Sequence, residues 1–296
     1  MLPTAAALIE TLPRPLRRHR LMTAWMRMTG EDPLQLVRIR GDSFGYADMS
    51  DGFLRLIVID GDFEADFFRI ADALLGVGGT FLDVGANHGL LSFGLAGRHG
   101  PAVRFHLFEP IPRLVASIER TRALYPDMDM MLNRAAVADR EGEVAFDVAD
   151  EQTGRSHIDP AGALRTPCIT LDGYLRRKGI ETVELLKLDV EGYELSALRG
   201  ASEALARRKI DAVYFEYFEK YLVRVGAPRE LISFLDGHGY EVCFCRSWDL
   251  NHVGAATHTL ADGLPGRGLP LLPVRGHVPP TMTDLLAVPK ERLVAL

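Results

Sequence analysis

From Thr80 onward, short apolar runs alternate with amphipathic stretches of helical spacing. Thr80–Val84, Val103–Phe108, Met130–Val137, Glu143–Val148, Leu185–Val190, Ala212–Phe215 and Tyr240–Cys245 read as strands, the last of them the final clear one. Leu90–Ala96, Arg113–Leu124, the stretch through Glu194, Leu198 and Leu205, and Pro228–Gly237 read as helices. Continuous apolar strands separated by helices predict an α/β fold, a Rossmann-like and mostly parallel sheet covered by helices on both faces. Such sheets bind ligands at the carboxyl ends of their strands, where strand order reverses.

The flanks follow other patterns. Leu16, Leu21, Trp25 and Met28 recur at helical spacing among Arg14, Arg17, Arg18, Arg20 and Arg27. Leu36–Arg40 alternates, and Leu54–Ile59 follows a Ser50-Asp51-Gly52 turn, which predicts a small hairpin or β-meander. Ala65–Leu75 reads as a helix stopped by Gly76. Between Asp249 and Pro280 glycine and proline predict a loop or lid, with a short helix over Met282–Leu286. Three parts result: an N-terminal helix and β extension (1–62), a core (63–248) and a C-terminal loop with its short helix (249–296).

Composition narrows the class. With 47% hydrophobic and 25% charged residues in 296, the chain is neither disordered, fibrous nor a coiled coil. A net charge of −6 disfavours nucleic acid as a partner. Residues 1–30 carry five arginines and one glutamate, 5 − 1 = +4, leaving −6 − 4 = −10 for the rest. That basic stretch reads first as a docking helix, against the domain or a second copy in a homo-oligomer. The competing reading is peripheral contact with an anionic membrane surface or an acidic partner. No run reaches the roughly 18 apolar residues of a membrane span, and the N-terminus lacks the order of a secretory signal. Cys168, Cys243 and Cys245 form neither a disulfide framework nor a zinc spacing, so buried thiols and a reducing cytoplasm are the expectation.

The richest stretch is Phe81-Leu82-Asp83-Val84-Gly85-Ala86-Asn87-His88-Gly89. A buried strand delivers an acid, then a turn with glycines four apart, then a helix. It is not the dinucleotide pattern G-x-G-x-x-G, because Asn87 stands where a glycine would approach a pyrophosphate. No basic residue follows until Arg98, so the turn suits a ligand without phosphates, and Asp83 favours a cationic one. Glu109 ends the next strand, 109 − 89 = 20 residues after the last glycine, where a carboxylate accepts both hydroxyls of a ribose. Together these features point to S-adenosylmethionine, with its sulfonium and free ribose.

The same residues carry a resemblance. Phe81–Gly89 resembles the first motif of class I S-adenosylmethionine-dependent methyltransferases, in the form seen in the FkbM family. Phe108-Glu109-Pro110, Ala135–Asp139 with Gly142, Ile169-Thr170-Leu171-Asp172 and Leu186–Glu194 (LKLDVEGYE) resemble that family's later motifs, so the likeness spans about Glu64 to Glu216. It implies methyl transfer to a hydroxyl of a sugar, glycan or natural product. It implies cofactor contacts at Asp83, Gly85, Ala86, Asn87, Gly89, Glu109 and Ala136.

Methyl transfer needs alignment and a way to take the hydroxyl's proton. Asp189 ends the fourth strand of the core and Glu216 the fifth, and the pair would hold a divalent cation such as Mg2+. Alternatively Asp189, Glu191 or His157 in the Gly154-Arg155-Ser156-His157 loop acts as base directly. Lys187 shares the strand face of Asp189, where it either joins the chemistry or pairs with an acid. Two other classes stay open: a nucleotide-dependent oxidoreductase, and a non-catalytic module that binds S-adenosylmethionine.

Overall fold

A computed structural model describes residues 32–51, 64–149 and 155–296. The basic segment 1–30 and the strand expected over Leu54–Ile59 lie outside the described residues. A hairpin of β1 (Leu34–Arg40) and β2 (Ser43–Asp48) comes first. Then follow α1 (Ala65–Leu74), β3 (Thr80–Val84), α2 (Leu90–His99), β4 (Arg104–Phe108), α3 (Pro112–Arg122) and β5 (Met130–Asn133). A smaller sheet is built from β6 (Ala136–Val137), β7 (Gly142–Asp147), β8 (His157–Ile158) and β9 (Leu164–Ile169). The main unit resumes with α4 (Leu171–Lys178), β10 (Leu185–Leu188), α5 (Glu194–Arg199), α6 (Ser202–Ala206), β11 (Val213–Phe218) and α7 (Glu219–Leu222). After α8 (Pro228–Gly237), β12 (Tyr240–Phe244) and α9 (Ser247–His252) come β13 (His258–Leu260), β14 (Leu272–Pro273), β15 (Met282–Pro289) and β16 (Leu293–Ala295).

The central sheet has eight strands in the order β14-β12-β15-β11-β10-β3-β4-β5. From β5 to β11 every pairing is parallel, and β15 runs antiparallel to both neighbours. Chain order reverses between β3 and β10, which sets a ligand crevice at their carboxyl ends. Apolar residues of α4, α5, α6 and α8 pack one face, and those of α1, α2 and α3 the other. The α/β class expected from the alternating pattern is the observed one.

Three local expectations are corrected. The helix expected over Met282–Leu286 is strand β15, inserted between β11 and β12, so Tyr240–Phe244 is not the last strand. Its residues from Leu285 to Val288 are all fully buried, and a run of consecutive buried residues suits a central strand rather than a one-sided helix. The single strand expected over Met130–Val137 breaks after Asn133, and Ala136–Val137 moves to the smaller sheet beside β9. Glu216 lies inside β11, two residues before its end.

The T-L-D segment is structural. Thr170 caps α4 by accepting from the Gly173 amide, and Asp172 accepts from the amides of Glu203 and Ala204 at the start of α6. Cys168, Cys243 and Cys245 are buried free thiols, as their apolar settings predict. Among the described residues no helix is long and apolar enough to cross a membrane.

Candidate functional site

Strand register builds the site. Lys187 pairs with Asp83 on one side and Tyr214 on the other, and Glu216 pairs with Asp284. One residue beyond β3 and β10 the ladder continues: Gly85 N donates to Phe108 O and Asp189 N to Val84 O, each at 3.1 Å. The carboxyl edge therefore presents, strand by strand, Glu109, Gly85, Asp189, Glu216 and Asp284. This is a line of acids broken at one glycine.

The break is enforced sterically. Gly85 has φ 76°, and a Cβ there would overlap the Asp189 carbonyl oxygen. Lys187 fastens the same spot: its buried Nζ donates to Gly85 O at 2.7 Å. That Nζ also lies 3.2 Å from Asp83 Oδ1 and 3.5 Å from Asp189 Oδ2. Burial works against its charge, but the two carboxylates overcome it and hold its pKa above the ordinary lysine value. Lys187 is thus held as an ammonium against the turn.

Asp83 is placed differently from expectation. It is fully buried, accepts from Ser92 Oγ at 2.7 Å and has Lys187 as counter-ion. Asp83 is thereby joined to the turn through Lys187, whose Nζ also donates to Gly85 O. Glu109 is also buried, at 4% exposure, with Oε2 accepting from Asn87 N at 2.8 Å and Oε1 from Ile111 N at 2.9 Å. Burial raises its pKa to about 8 against those two amides. Ala86 and Gly89 follow in the same turn, and Asn87 adopts φ 52° to present its amide to Glu109. Ala136 lies in β6, its side chain packed near Ile111, Leu114 and Val144.

The segment after β10 folds over the acid row. Glu194 Oε1 accepts from Val190 N at 2.9 Å and Gly192 N at 3.3 Å, which closes the turn. Gly192 has φ 97°, and a Cβ there would overlap the Tyr221 carbonyl oxygen. Glu191 is held at φ 55°, and Arg224 donates to its carbonyl. Carboxylate oxygens of Asp189, Glu191 and Glu216 all lie within 4.8 Å of one another, a donor set suited to a hard divalent cation. Burial, then the charges of Asp189, Glu191, Glu194 and Asp284, push Glu216 up to about 10. Burial with the charges of Asp189 and Glu194 pushes Glu191 up to about 9, and burial brings Glu194 to about 7.

Sequence reasoning missed three participants. Asp284 faces Glu216 across the β11–β15 pairing and lies 2.9 Å from Arg246 Nη1. Burial and Glu64 raise Asp284 to about 7, with Arg246 opposing. Glu64, at the start of α1 with φ 47°, is close enough to Arg246, Asp189 and Lys187 for their charges to act on it. Four non-glycine residues among the described ones have left-handed backbone, and Glu64, Asn87 and Glu191 all border this crevice, as strained residues at working sites do. The signal for Asp284 was a lone acid inside an apolar run.

His157 is not gathered in. It pairs with Asp147 in the smaller sheet, its Nδ1 is 3.0 Å from Arg155 O and its Nε2 is 4.0 Å from Asp159. Its ring is held by these residues and by none of the acid row.

Known proteins share this chain's pattern. The profile of the family described as "Methyltransferase FkbM domain" matches residues 83–242. The chain is 26% identical over 173 residues to "2-O-methyltransferase NoeI" of Sinorhizobium fredii, covering 52% of this chain and 69% of that protein. It is 27% identical over 198 residues to "31-O-demethyl-FK506 methyltransferase FkbM" of Streptomyces tacrolimicus, covering 56% and 74%. Among solved structures, a precorrin-6y C5,15-methyltransferase from Geobacter metallireducens is similar at TM-score 0.39 and 13% identity, over 76% of this chain and 88% of that one. The strand order itself, not that likeness, carries the fold assignment.

Proposed function

The chain belongs to the FkbM methyltransferase family, and from that premise we propose that it methylates a hydroxyl of a sugar, glycan or natural product using S-adenosylmethionine. The observation that carries this reading is the acid row interrupted at Gly85. Each Glu109 oxygen accepts one backbone amide and keeps a second lone pair, which suits a ribose diol above the turn. The crowded carboxylates favour a ligand whose far end is positive. Both relatives are named as methyltransferases of oxygen positions, which supports a hydroxyl acceptor.

When bound, S-adenosylmethionine supplies a methyl group already activated by its sulfonium. The chain's own residues then orient the acceptor and manage its proton. Asp189, with 45% of its side chain exposed beside the buried Lys187 ammonium, is the carboxylate of the row we assign to the acceptor hydroxyl. Glu191 and Glu216 complete a cluster with Asp189 that would hold a divalent cation and make that hydroxyl more acidic.

An oxidoreductase is not favoured. Lys187, the cation at the turn, is already engaged by Asp83, Asp189 and the Gly85 carbonyl and is not presented to a pyrophosphate. Calorimetric titration tests the cofactor: S-adenosylhomocysteine should bind and NAD should not. Binding of NAD without S-adenosylhomocysteine would overturn the proposal.

A further inference from the structure

The β11–β15 pairing sets three rungs on the face that carries Lys187 and Asp189: Tyr214 opposite Leu286, Glu216 opposite Asp284, and Phe218 opposite Met282. They run from the core outward. The first rung is buried, the second half-buried, and Met282 on the third is 56% exposed. An apolar rung therefore stands directly outside the carboxylate pair, at the mouth of the crevice. It is extended sideways by Tyr221, whose ring meets Phe218 edge-on at 4.5 Å. Arg224 covers Tyr221 at 4.3 Å and is fastened to the Glu191 carbonyl, so this wall is anchored to the acid row.

We propose that Phe218 and Met282 form the acceptor wall of the site and select a neutral hydroxylated molecule with an apolar group beside the reacting hydroxyl. The inference deepens the methyltransferase reading and rests on it. Charge on the acceptor is disfavoured from both sides. Among the described residues of the row an anion meets no available cation, since Lys187 is engaged by Asp83, Asp189 and the Gly85 carbonyl, while Arg224 and Lys220 at Tyr221 repel a cation at the rim. An apolar group covering Met282 and Phe218 removes exposed hydrocarbon from water on both partners. Met282 and Asp284 lie outside residues 83–242, so a strand beyond the family match supplies half of this wall.

The test uses the full chain saturated with S-adenosylhomocysteine. Octyl β-D-glucopyranoside, kept below its micelle concentration, is compared with methyl β-D-glucopyranoside by calorimetry. The two carry the same ring hydroxyls and differ in the apolar group next to the 2-hydroxyl. The octyl glycoside should bind at least about tenfold more tightly. Its uronic acid counterpart should bind at least about tenfold more weakly than it does. Phe218→Ser and Met282→Ser should abolish the octyl preference with S-adenosylhomocysteine affinity unchanged, while Phe218→Leu should retain it. Wild-type protein that binds the octyl glycoside no better than the methyl one, or a preference that survives both serine variants, overturns the wall alone. Wild-type protein that binds no S-adenosylhomocysteine overturns the underlying reading and this inference with it.

Discussion

Neighbouring carboxylates on one sheet edge are held in different ways, and their expected roles differ accordingly. Glu109 spends one lone pair of each oxygen on the turn that it shapes and keeps the other for a ligand. Glu109→Ala should weaken S-adenosylhomocysteine binding by roughly tenfold, since two hydrogen bonds to the ribose are lost at about 0.5–1.5 kcal/mol each and the Asn87 and Ile111 amides lose their acceptor. Titration calorimetry checks it, and unchanged affinity would remove Glu109 from the site. Asp189→Asn keeps the shape and removes the charge, so turnover should fall by about 10²-fold with cofactor affinity largely kept. EDTA should silence the wild type, and Mg2+ restore it, if the Asp189–Glu191–Glu216 cluster works through a cation; EDTA-insensitive turnover leaves Asp189 as a direct base. At this scale the strand-end positions of Gly85, Glu109 and Asp189 were legible, because apolar runs that end in an acid or a glycine place those residues at the carboxyl edge of neighbouring parallel strands. The burial of Asp83 was not, since its counter-ion arrives from a strand 104 positions later, 187 − 83, and no local pattern announces that pairing.

Element boundaries follow the same logic. The strands β3, β4, β10 and β11 were visible as apolar runs ending in acids. Strand β15 was hidden because Met282–Leu286 is short, follows a Gly/Pro-rich stretch and lacks strict alternation. Only the sheet's demand for a partner between β11 and β12 decides it, a tertiary effect overriding local propensity. Glu216 and Asp284 are 68 positions apart, 284 − 216, and become opposite neighbours solely through that insertion. The strand should therefore carry stability as well as site geometry. Leu285 is fully buried in the cluster shared with Phe215, Phe244 and Leu188. Leu285→Ala should cost about 2–5 kcal/mol, a fall in Tm of roughly 4 °C or more. Calorimetric melting measures it, and an unchanged Tm would argue against a central position for β15.

Across the whole molecule the acid edge links folding to pH, and the sign follows from the direction of the shifts. Glu109, Glu191, Glu194, Glu216 and Asp284 all hold protons more tightly in the fold than an ordinary carboxyl does, at about 8, 9, 7, 10 and 7 respectively. Below the unfolded carboxyl range both states are protonated, and the fold carries no charge penalty at this edge. Between that range and the folded values the native state binds more protons than the unfolded chain, so stability falls as pH rises. The net charge of −6 adds general repulsion in the same direction. Buried His88 and His106, held down at about 4, add stability as pH rises to the ordinary histidine range, so in EDTA Tm should decline from about pH 7 to about pH 9. Glu216→Gln removes the most strongly shifted of these acids, so it should flatten the decline and melt above the wild type at the alkaline end. A divalent cation held by the cluster would neutralise the same charges, so Mg2+ should raise the wild-type Tm most at alkaline pH and Glu216→Gln much less. A Tm that stays level or rises between about pH 7 and about pH 9 in EDTA would mean that the carboxylates are already ionised and relieved by other groups. The acid edge would then be an open, solvated surface, and the crowding that supports both the cation and the positively charged ligand would be absent.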